Sequence, residues 1–432
     1  MTDRIMYIDE SRFKHEVLDA ERVVVDFYST ECPPCEALGS KFESLSTLYG
    51  GDVKFVKIFR QENRALAEKL DVTSSPTLLF YRNGERTGDT LSGGIRRADI
   101  VRNLNGLLNE RRVTEIESAV KKVNTDVDVV IMGGGPAGLT AGIYAAQALH
   151  RTMVIDTRLP GGWVSTSHQV SNYPGFSEPV QGFMLSHHMF AQAKAAGVEF
   201  RPAVDVTDMS LEEKRIVIDG IETVRAKKII VATGSSPKQL GVKGERDYKG
   251  KGISYCATCD AKYYEGKHVV VIGGGNSAIE ESLFITRFAE KLTVIHQFAE
   301  LQANRMLQER AEANKKISFI FEHEPREFKR NGTGVDEVVI EDLRTGKRRS
   351  ISCDGVFIFA GMRPNFDLFE GMFELDEFGY VVTDDHMRTS IPDVFVAGDL
   401  RSKSFRQITT AVADGTIAAI TAGRELERTA AA

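Results

Sequence analysis

Four of the five cysteines fall into two Cys-x-x-Cys pairs, Cys32/Cys35 and Cys256/Cys259, and only Cys353 stands apart. A thiol pair at this spacing can close a disulfide and exchange it, or help to hold a metal. In a reducing compartment it is not a structural staple. Zinc would need both pairs to converge on one ion. Each pair lies instead in a context suited to redox exchange, so no metal is expected. Cys32-Pro33-Pro34-Cys35 follows the apolar run 23–28 and opens a helical pattern. The first thiol then sits at a helix N-terminus, where unpaired N–H groups and the helix dipole favour thiolate. Asp26, inside the apolar run, is a candidate buried proton acceptor for the second thiol. Ser75-Pro76 precedes another strand pattern, where a cis peptide bond would bring backbone beside the dithiol. In the second pair Asp260 follows Cys259 directly, placed to give or take a proton during exchange.

Two glycine-rich loops add nucleotide chemistry. Gly133-Gly134-Gly135-Pro136-Ala137-Gly138 fits Gly-x-Gly-x-x-Gly, directly after a strand pattern at 127–132 and before a helical one. Gly133, Gly135 and Gly138 permit a tight turn and close approach of backbone to a pyrophosphate. Asp156 ends the next strand pattern, where an acid can hold a ribose hydroxyl. A second loop, Gly273-Gly274-Gly275-Asn276-Ser277-Ala278, follows strand 269–272 and keeps the form Gly-x-Gly-x-x-Ala. Two such starts about 140 residues apart are the pattern of two dinucleotide-binding α/β units.

The elements that must position these residues fall into three groups. Residues 1–110 read as a small α/β domain, with strands at 23–28, 53–58 and 77–81, helices at 34–48, 63–70 and 96–108, and a turn at Asn83-Gly84. Residues 111–126 are charged and read as a partly helical linker. The remainder reads as two Rossmann-like domains, 127–243 with 366–432 and, between them, 244–365. A last helix is expected over 408–426. The fold class is therefore α/β throughout.

Residues 1–110 resemble thioredoxin. The family's acid, Cys-x-x-Cys, cis-proline, Asn-Gly turn and strand lysine fall on Asp26, Cys32/Cys35, Pro76, Asn83-Gly84 and Lys57. The usual Trp-Cys-Gly-Pro-Cys is here Glu31-Cys32-Pro33-Pro34-Cys35. A charge in place of the tryptophan alters the surface that meets partners. From about 126 to 430 the chain is identified as a low-molecular-weight thioredoxin reductase, a class II pyridine nucleotide-disulfide oxidoreductase. Cys256-Ala257-Thr258-Cys259-Asp260 matches that family's redox motif residue for residue, although Ala261 replaces the usual glycine. Ala232-Thr233-Gly234 looks like its connecting motif, and 389–399, ending in Asp399, like its distal FAD motif. Arg406-Gln407-Ile408 and Asn172-Tyr173-Pro174-Gly175 look like its flavin-contacting segments. After Gly161-Gly162 the usual glutamine is Trp163, the only tryptophan. The resemblance implies FAD, a homodimer, and a second domain that rotates between two arrangements. It further implies that Cys259 takes electrons from the flavin and that Cys256 attacks the disulfide of a client.

The electron donor is the open point. NADPH enzymes of the family carry His-Arg-Arg and a later arginine after the strand that follows the second glycine loop, and these neutralise the 2′-phosphate. Here the string is His296-Gln297-Phe298-Ala299-Glu300-Leu301-Gln302-Ala303, with all three arginine positions lost. A dianionic phosphate without charge partners is costly to bury, so NADPH is disfavoured. NADH through the glycine loop, ferredoxin feeding the flavin directly, and rescue of NADPH by Arg305 all stay open.

Composition narrows the rest. A formal charge of -6 offers nucleic acid no basic surface. No apolar run reaches membrane-spanning length, and residues 1–14 are charged throughout without a signal core, so a cytoplasmic protein is expected. Cys353 reads as a core residue, His187-His188 as a solvated helix face, and Lys121-Lys122 as solubility. The clients are protein disulfides, a separate thioredoxin or peroxiredoxin among them. Two rivals stand beside this reading. One is an alkyl hydroperoxide reductase flavoprotein, whose N-terminal thioredoxin-type region is about twice as long. The other makes the N-terminal domain a docking module that does not turn over.

Overall fold

The computed structural model describes residues 4–30, 32–167, 170, 172–330 and 334–431, and leaves the side chains of Pro33, Thr258, Cys259, Ala430 and Ala431 undescribed. Glu31 therefore lies outside the described residues, as does the side chain of Cys259.

The N-terminal unit is one twisted sheet of five strands: β1 (Ile5–Ile8), β2 (Arg22–Tyr28), β3 (Lys54–Phe59), β4 (Thr77–Arg82) and β5 (Glu85–Ser92). Their spatial order is β1-β3-β2-β4-β5. The central β2 runs parallel to β3 and antiparallel to β4. Its Val23, Val24, Val25 and Phe27 are wholly buried, as β-branched and aromatic side chains are when both faces of a strand are covered. Alternation along β2 sends Val24 to one core and Val23, Val25 and Phe27 to the other. Helix Pro33–Tyr49 leaves the end of β2 with Cys32 as its N-cap and proline at its first position, where a missing N–H costs nothing.

The stretch expected as a linker is shared between its neighbours. Helix Glu110–Ser118 buries Ile116 in the core of the first unit. Strand β6 (Val123–Met132) then begins at once and pairs with a distant strand from Val123 onward.

The second sheet holds β6, β7 (Thr152–Ile155), β8 (Glu199–Arg201), β9 (Val206–Ser210), β10 (Arg215–Ile218) and β11 (Glu222–Val231), in the order β8-β7-β6-β11-β10-β9. Helices Pro136–Gln147 and Gly182–Ala195 cover one face. Next comes a short connecting strand, β12 (Ser235–Pro237). The third sheet joins β13 (Ile253–Ser254), β14 (His268–Ile272), β15 (Lys291–Ile295), β16 (Ile317–Ile320) and, after the separate antiparallel sheet β17–β19 (His323–Lys329, Glu337–Asp342, Arg348–Ser352), β20 (Gly355–Ile358). Strand β21 (Met362–Pro364) returns antiparallel to β12, so two short paired strands connect the nucleotide-type domains. Finally β22 (Val394–Val396) adds to β11, and helix Ile408–Ala431 packs on helix Pro136–Gln147. Cys353 is buried in the core of the third unit, as expected, with its thiol pushed up to about 12 by burial. Among the described residues no helix is long and apolar enough to cross a membrane.

Candidate redox-active site

Cys32 and Cys35 are joined in a disulfide, with their Cα atoms 5.2 Å apart. The Cys35 N–H donates to Cys32 Sγ at 3.2 Å, so the N-cap role falls on a sulfur expected to carry redox exchange. That N–H and the helix dipole behind it would hold a Cys32 thiolate after reduction. The Ser75–Pro76 bond is cis, and Cys32 Sγ stands 3.5 Å from the Ser75 carbonyl oxygen. The Gly93 N–H donates to the Pro76 carbonyl, which brings a glycine pair to the same rim. Asp26 is buried at 1% exposure, and its pKa is raised to about 6 by loss of water, against the pull of Lys57. Lys57 Nζ stands 3.2 Å from Oδ2 as an ion pair; neither Asp26 oxygen takes an aligned hydrogen bond. Ser29 Oγ lies 3.9 Å from Cys35 Sγ, a neighbour that sequence spacing did not single out.

A cavity of about 720 Å³ runs along the first glycine loop and is lined by Gly133, Gly135, Pro136, Ala137, Asp156, Gly162, Asn172, Ala232, Thr233, Gly234, Asp399, Arg406, Gln407 and Ile408. Gly138 is buried just behind it, in the first turn of helix Pro136–Gln147. A Cβ on Gly138 would stand 1.8 Å from the Gly133 carbonyl oxygen, so only glycine lets strand and helix meet so tightly. Gly162, at φ +64°, faces Gly135 across the cradle, and a Cβ there would stand 2.8 Å from Gly135 Cα. Asp156 accepts from the N–H groups of Gly134 at 2.7 Å and Arg158 at 2.8 Å, and burial raises its pKa. It therefore holds the loop in shape while lining the cavity.

The distant segments meet here. Asn172 Nδ2 donates to Gln407 Oε1 at 3.1 Å, across 235 positions of sequence. Thr233 and Asn365 exchange hydrogen bonds of 2.7 and 2.9 Å. Asp399 Oδ1 faces Lys403 Nζ at 3.4 Å without a hydrogen bond, and Arg406 Nε is likewise buried without a partner. Two such atoms in one cavity wall call for a polar ligand. Asp414, which the sequence reading missed, accepts from Gly398 N–H and pairs with Arg401 and Lys403, fixing the turn that carries Asp399. A buried acid on one face of a helical pattern gives no signal until its partners are seen.

Cys256 is disulfide-bonded. Its Sγ lies 3.7 Å from the carbonyl oxygen of Thr166, in the turn Trp163–Thr166 that walls the cavity. Asp260 closes the short helix Ala257–Asp260 that follows Cys256. Tyr255, next to Cys256, donates to Glu245 Oε1 at 2.5 Å. The Glu245 carboxylate also accepts from the N–H groups of Leu240, Gly241 and Val242, which follow β12. Thus one buried acid, also unseen in the sequence, ties the interdomain connection to the strand that presents Cys256.

The pyridine nucleotide-disulphide oxidoreductase profile matches residues 127–415, and the thioredoxin profile matches 4–106. The chain belongs to the pyridine nucleotide-disulphide oxidoreductases. Thioredoxin reductases of Peptoclostridium litorale and Bacillus subtilis are 42% and 41% identical to it, over 69% and 68% of this chain and 97% and 92% of theirs. Among solved structures, Lactococcus lactis thioredoxin reductase in its FR conformation aligns with TM-score 0.67 at 38% identity, over 70% of this chain and 99% of that one. The T. acidophilum enzyme aligns with TM-score 0.66 at 34% identity, over 70% and 99%. This oxidoreductase is thus a thioredoxin reductase homologue with a thioredoxin domain in front of it, and its family's cofactor is FAD. The glycine cradle and the two unbonded polar atoms, Asp399 Oδ1 and Arg406 Nε, fit that group.

In the oxidoreductase's second glycine loop, Gly273 and Gly275 flank Gly274, against which the His296 ring is packed. Asn276 and Ser277 reach the same cavity as the first loop, while Ala278 is buried behind them. Gln297, Phe298 and Gln302 are exposed where the family's arginines would stand. Arg305 is 93% exposed and paired with Glu309 on its own helix. Arg310 lines the cavity opposite Glu280, whose pKa burial raises; neither figured in the sequence reading. Among the described residues no cluster of His, Cys, Asp and Glu is placed to hold a metal.

Proposed function

We propose that the chain is an FAD-dependent thioredoxin-disulfide reductase that reduces its own thioredoxin domain, which in turn reduces client protein disulfides. The working units are the segments read from the sequence, 1–110, 127–243 with 366–432, and 244–365, with the expected link 111–126 shortened to 119–122 by helix Glu110–Ser118 and β6. The observation that carries the proposal is Cys256 Sγ held 3.7 Å from the carbonyl oxygen of Thr166, in the turn whose Trp163 and Val164 line the cavity that fits the flavin. FAD, when bound, supplies the two-electron carrier between donor and dithiol. Cys259 takes the flavin's electrons, and Cys256 is the nucleophile toward the thioredoxin disulfide. Asp260 moves the proton that exchange requires, and Asp26 takes the proton of Cys35. Pro76 lines the groove beside Cys32 in which a client segment pairs. The strands β12 and β21 are the axis on which the second domain turns Cys256 away from the wall.

The donor is NADH or a ferredoxin, not NADPH. Exposed neutral side chains at 297, 298 and 302, and an Arg305 already paired with Glu309, support this. Anaerobic stopped-flow reduction with NADH, NADPH and reduced ferredoxin in parallel tests it; rapid bleaching by NADPH alone would refute it. A peroxiredoxin-coupled assay separates the alkyl hydroperoxide reductase alternative. Unchanged client reduction after Cys32→Ser would make the N-terminal domain a mere docking module.

A further inference from the structure

The thioredoxin unit is seated on the FAD-type domain, and its redox face is turned inward. Lys41, on the redox helix and 8% exposed, donates to the carbonyl of Ile95 in its own unit at 3.1 Å and to that of Ala203 across the interface at 2.7 Å. Beside it Arg96 pairs with Asp205 at 3.0 Å. Gly94, next to the glycine that bonds Pro76, packs on Leu159. Between the units lies a cavity of about 500 Å³ with Pro34, Ala37 and Ser40 on one side and Leu159, Phe183 and Phe190 on the other. Ser165 also lines it, and the next residue, Thr166, meets Cys256. One segment, 159–167, therefore borders both the cavity beside the redox helix and Cys256.

The tether is short. Helix Glu110–Ser118 is packed into the thioredoxin unit and β6 starts at Val123, so four residues, 119–122, join the two. Fully extended they span roughly 14 Å.

We infer that this patch of the FAD-type domain, centred on Leu159 and helix Gly182–Ala195, is the loading dock for the thioredoxin domain of the same subunit, so that electrons pass within one chain. The inference rests on the relay proposed above. The dock belongs to the domain that does not carry Cys256, so rotation of the second domain brings Cys256 to a partner already in place. The step is an exchange of two electrons. The Cys256 thiolate attacks Cys32 Sγ, forming the Cys256–Cys32 disulfide and releasing Cys35 as a thiolate that takes a proton. The Cys259 thiolate then attacks Cys256 Sγ, closing Cys256–Cys259 and releasing Cys32. The dithiol of the second domain ends oxidised, that of the thioredoxin unit reduced, and the two protons move with it.

Two full-length variants, Cys32→Ser and Cys256→Ser, test this when mixed at about 1 µM each and also co-expressed, so that any dimer carries one of each. Tethering sets an effective concentration of ~mM, so transfer between chains should restore less than about a tenth of the wild-type rate of Cys35 thiol release, read by alkylation and mass. Recovery to half the wild-type rate would overturn the inference. In the wild type, flavin reduction must release a Cys256 thiol that alkylation traps; its absence would remove the relay, not the dock. Leu159→Glu buries a charge in the dock and should slow Cys35 thiol release about tenfold while small-disulfide reduction is unchanged. Undiminished release would overturn the dock. Lys41→Met, which keeps the side chain's bulk, should raise hydrogen exchange in helix Gly182–Ala195; unchanged exchange would count against the contact.

Discussion

Asp26, the proton acceptor proposed for Cys35, is a buried acid that costs the fold stability. Its carboxyl titrates near 6 in the fold against an ordinary 3.8, because burial disfavours the charged form. The folded state therefore binds more protons than the unfolded one between these values. Its contribution is most favourable below about pH 4 and is lost as pH rises through 6. Asp26→Asn should thus stabilise the thioredoxin unit by roughly 2–3 kcal/mol above pH 6 and by little at pH 4. Urea unfolding at pH 4 and 8 measures the difference, and reduction of clients should slow. A second residue-scale prediction concerns Gly138. Its replacement by alanine puts a methyl against the Gly133 carbonyl oxygen, and FAD affinity should fall at least about tenfold. Flavin absorbance per protein after dialysis checks it. Both residues were legible in the sequence because their types are rare in those contexts: an acid inside an apolar strand, and a glycine one turn into a helix. Glu245 and Asp414 were not, since each is defined by N–H groups and cations that only the folded chain assembles.

At the scale of elements, the three strands and three helices expected in the first unit appear within about two residues of their expected bounds, whereas β1, β5 and helix Glu10–Phe13 were not expected. Apolar runs bounded by Pro, Gly and Asn leave little choice there. The segment 111–126 was harder. Its charge hid the single Ile116 that anchors one helix, and β6 extends four residues before the apolar run because its edge pairs with the polar start of β11. The pairing of β12 with β21 near the expected domain boundaries was not legible, since the two strands are three residues each and meet only in space. Glu245 governs this region. Its loss by Glu245→Ala would orphan three N–H groups and the Tyr255 hydroxyl, and should cost about 3 kcal/mol. Tyr255→Phe removes one bond and should cost about 1 kcal/mol. Thermal unfolding reads the cost, and the alkylation rate of Cys256 after reduction reads the loosened strand.

At the scale of the molecule, three units share one turn. Residues 159–167 line the flavin-type cavity, meet Cys256 through Thr166, and line the cavity beside the thioredoxin helix. The order of domains and the two dithiols could be read from the chain, because each motif is local. Which faces meet could not, because Lys41 and Ala203 are 162 residues apart and nothing about either residue marks it as a contact. The central claim is that electrons reach Cys32/Cys35 only through Cys256/Cys259. It is tested most directly by reducing wild type and Cys256→Ser anaerobically with whichever donor bleaches the flavin, then trapping free thiols for mass analysis. Alkylation at all four positions in the wild type, with none at Cys32 and Cys35 in the bleached variant, is the predicted result. Alkylated Cys32 and Cys35 in Cys256→Ser, at the wild-type rate, would contradict the account.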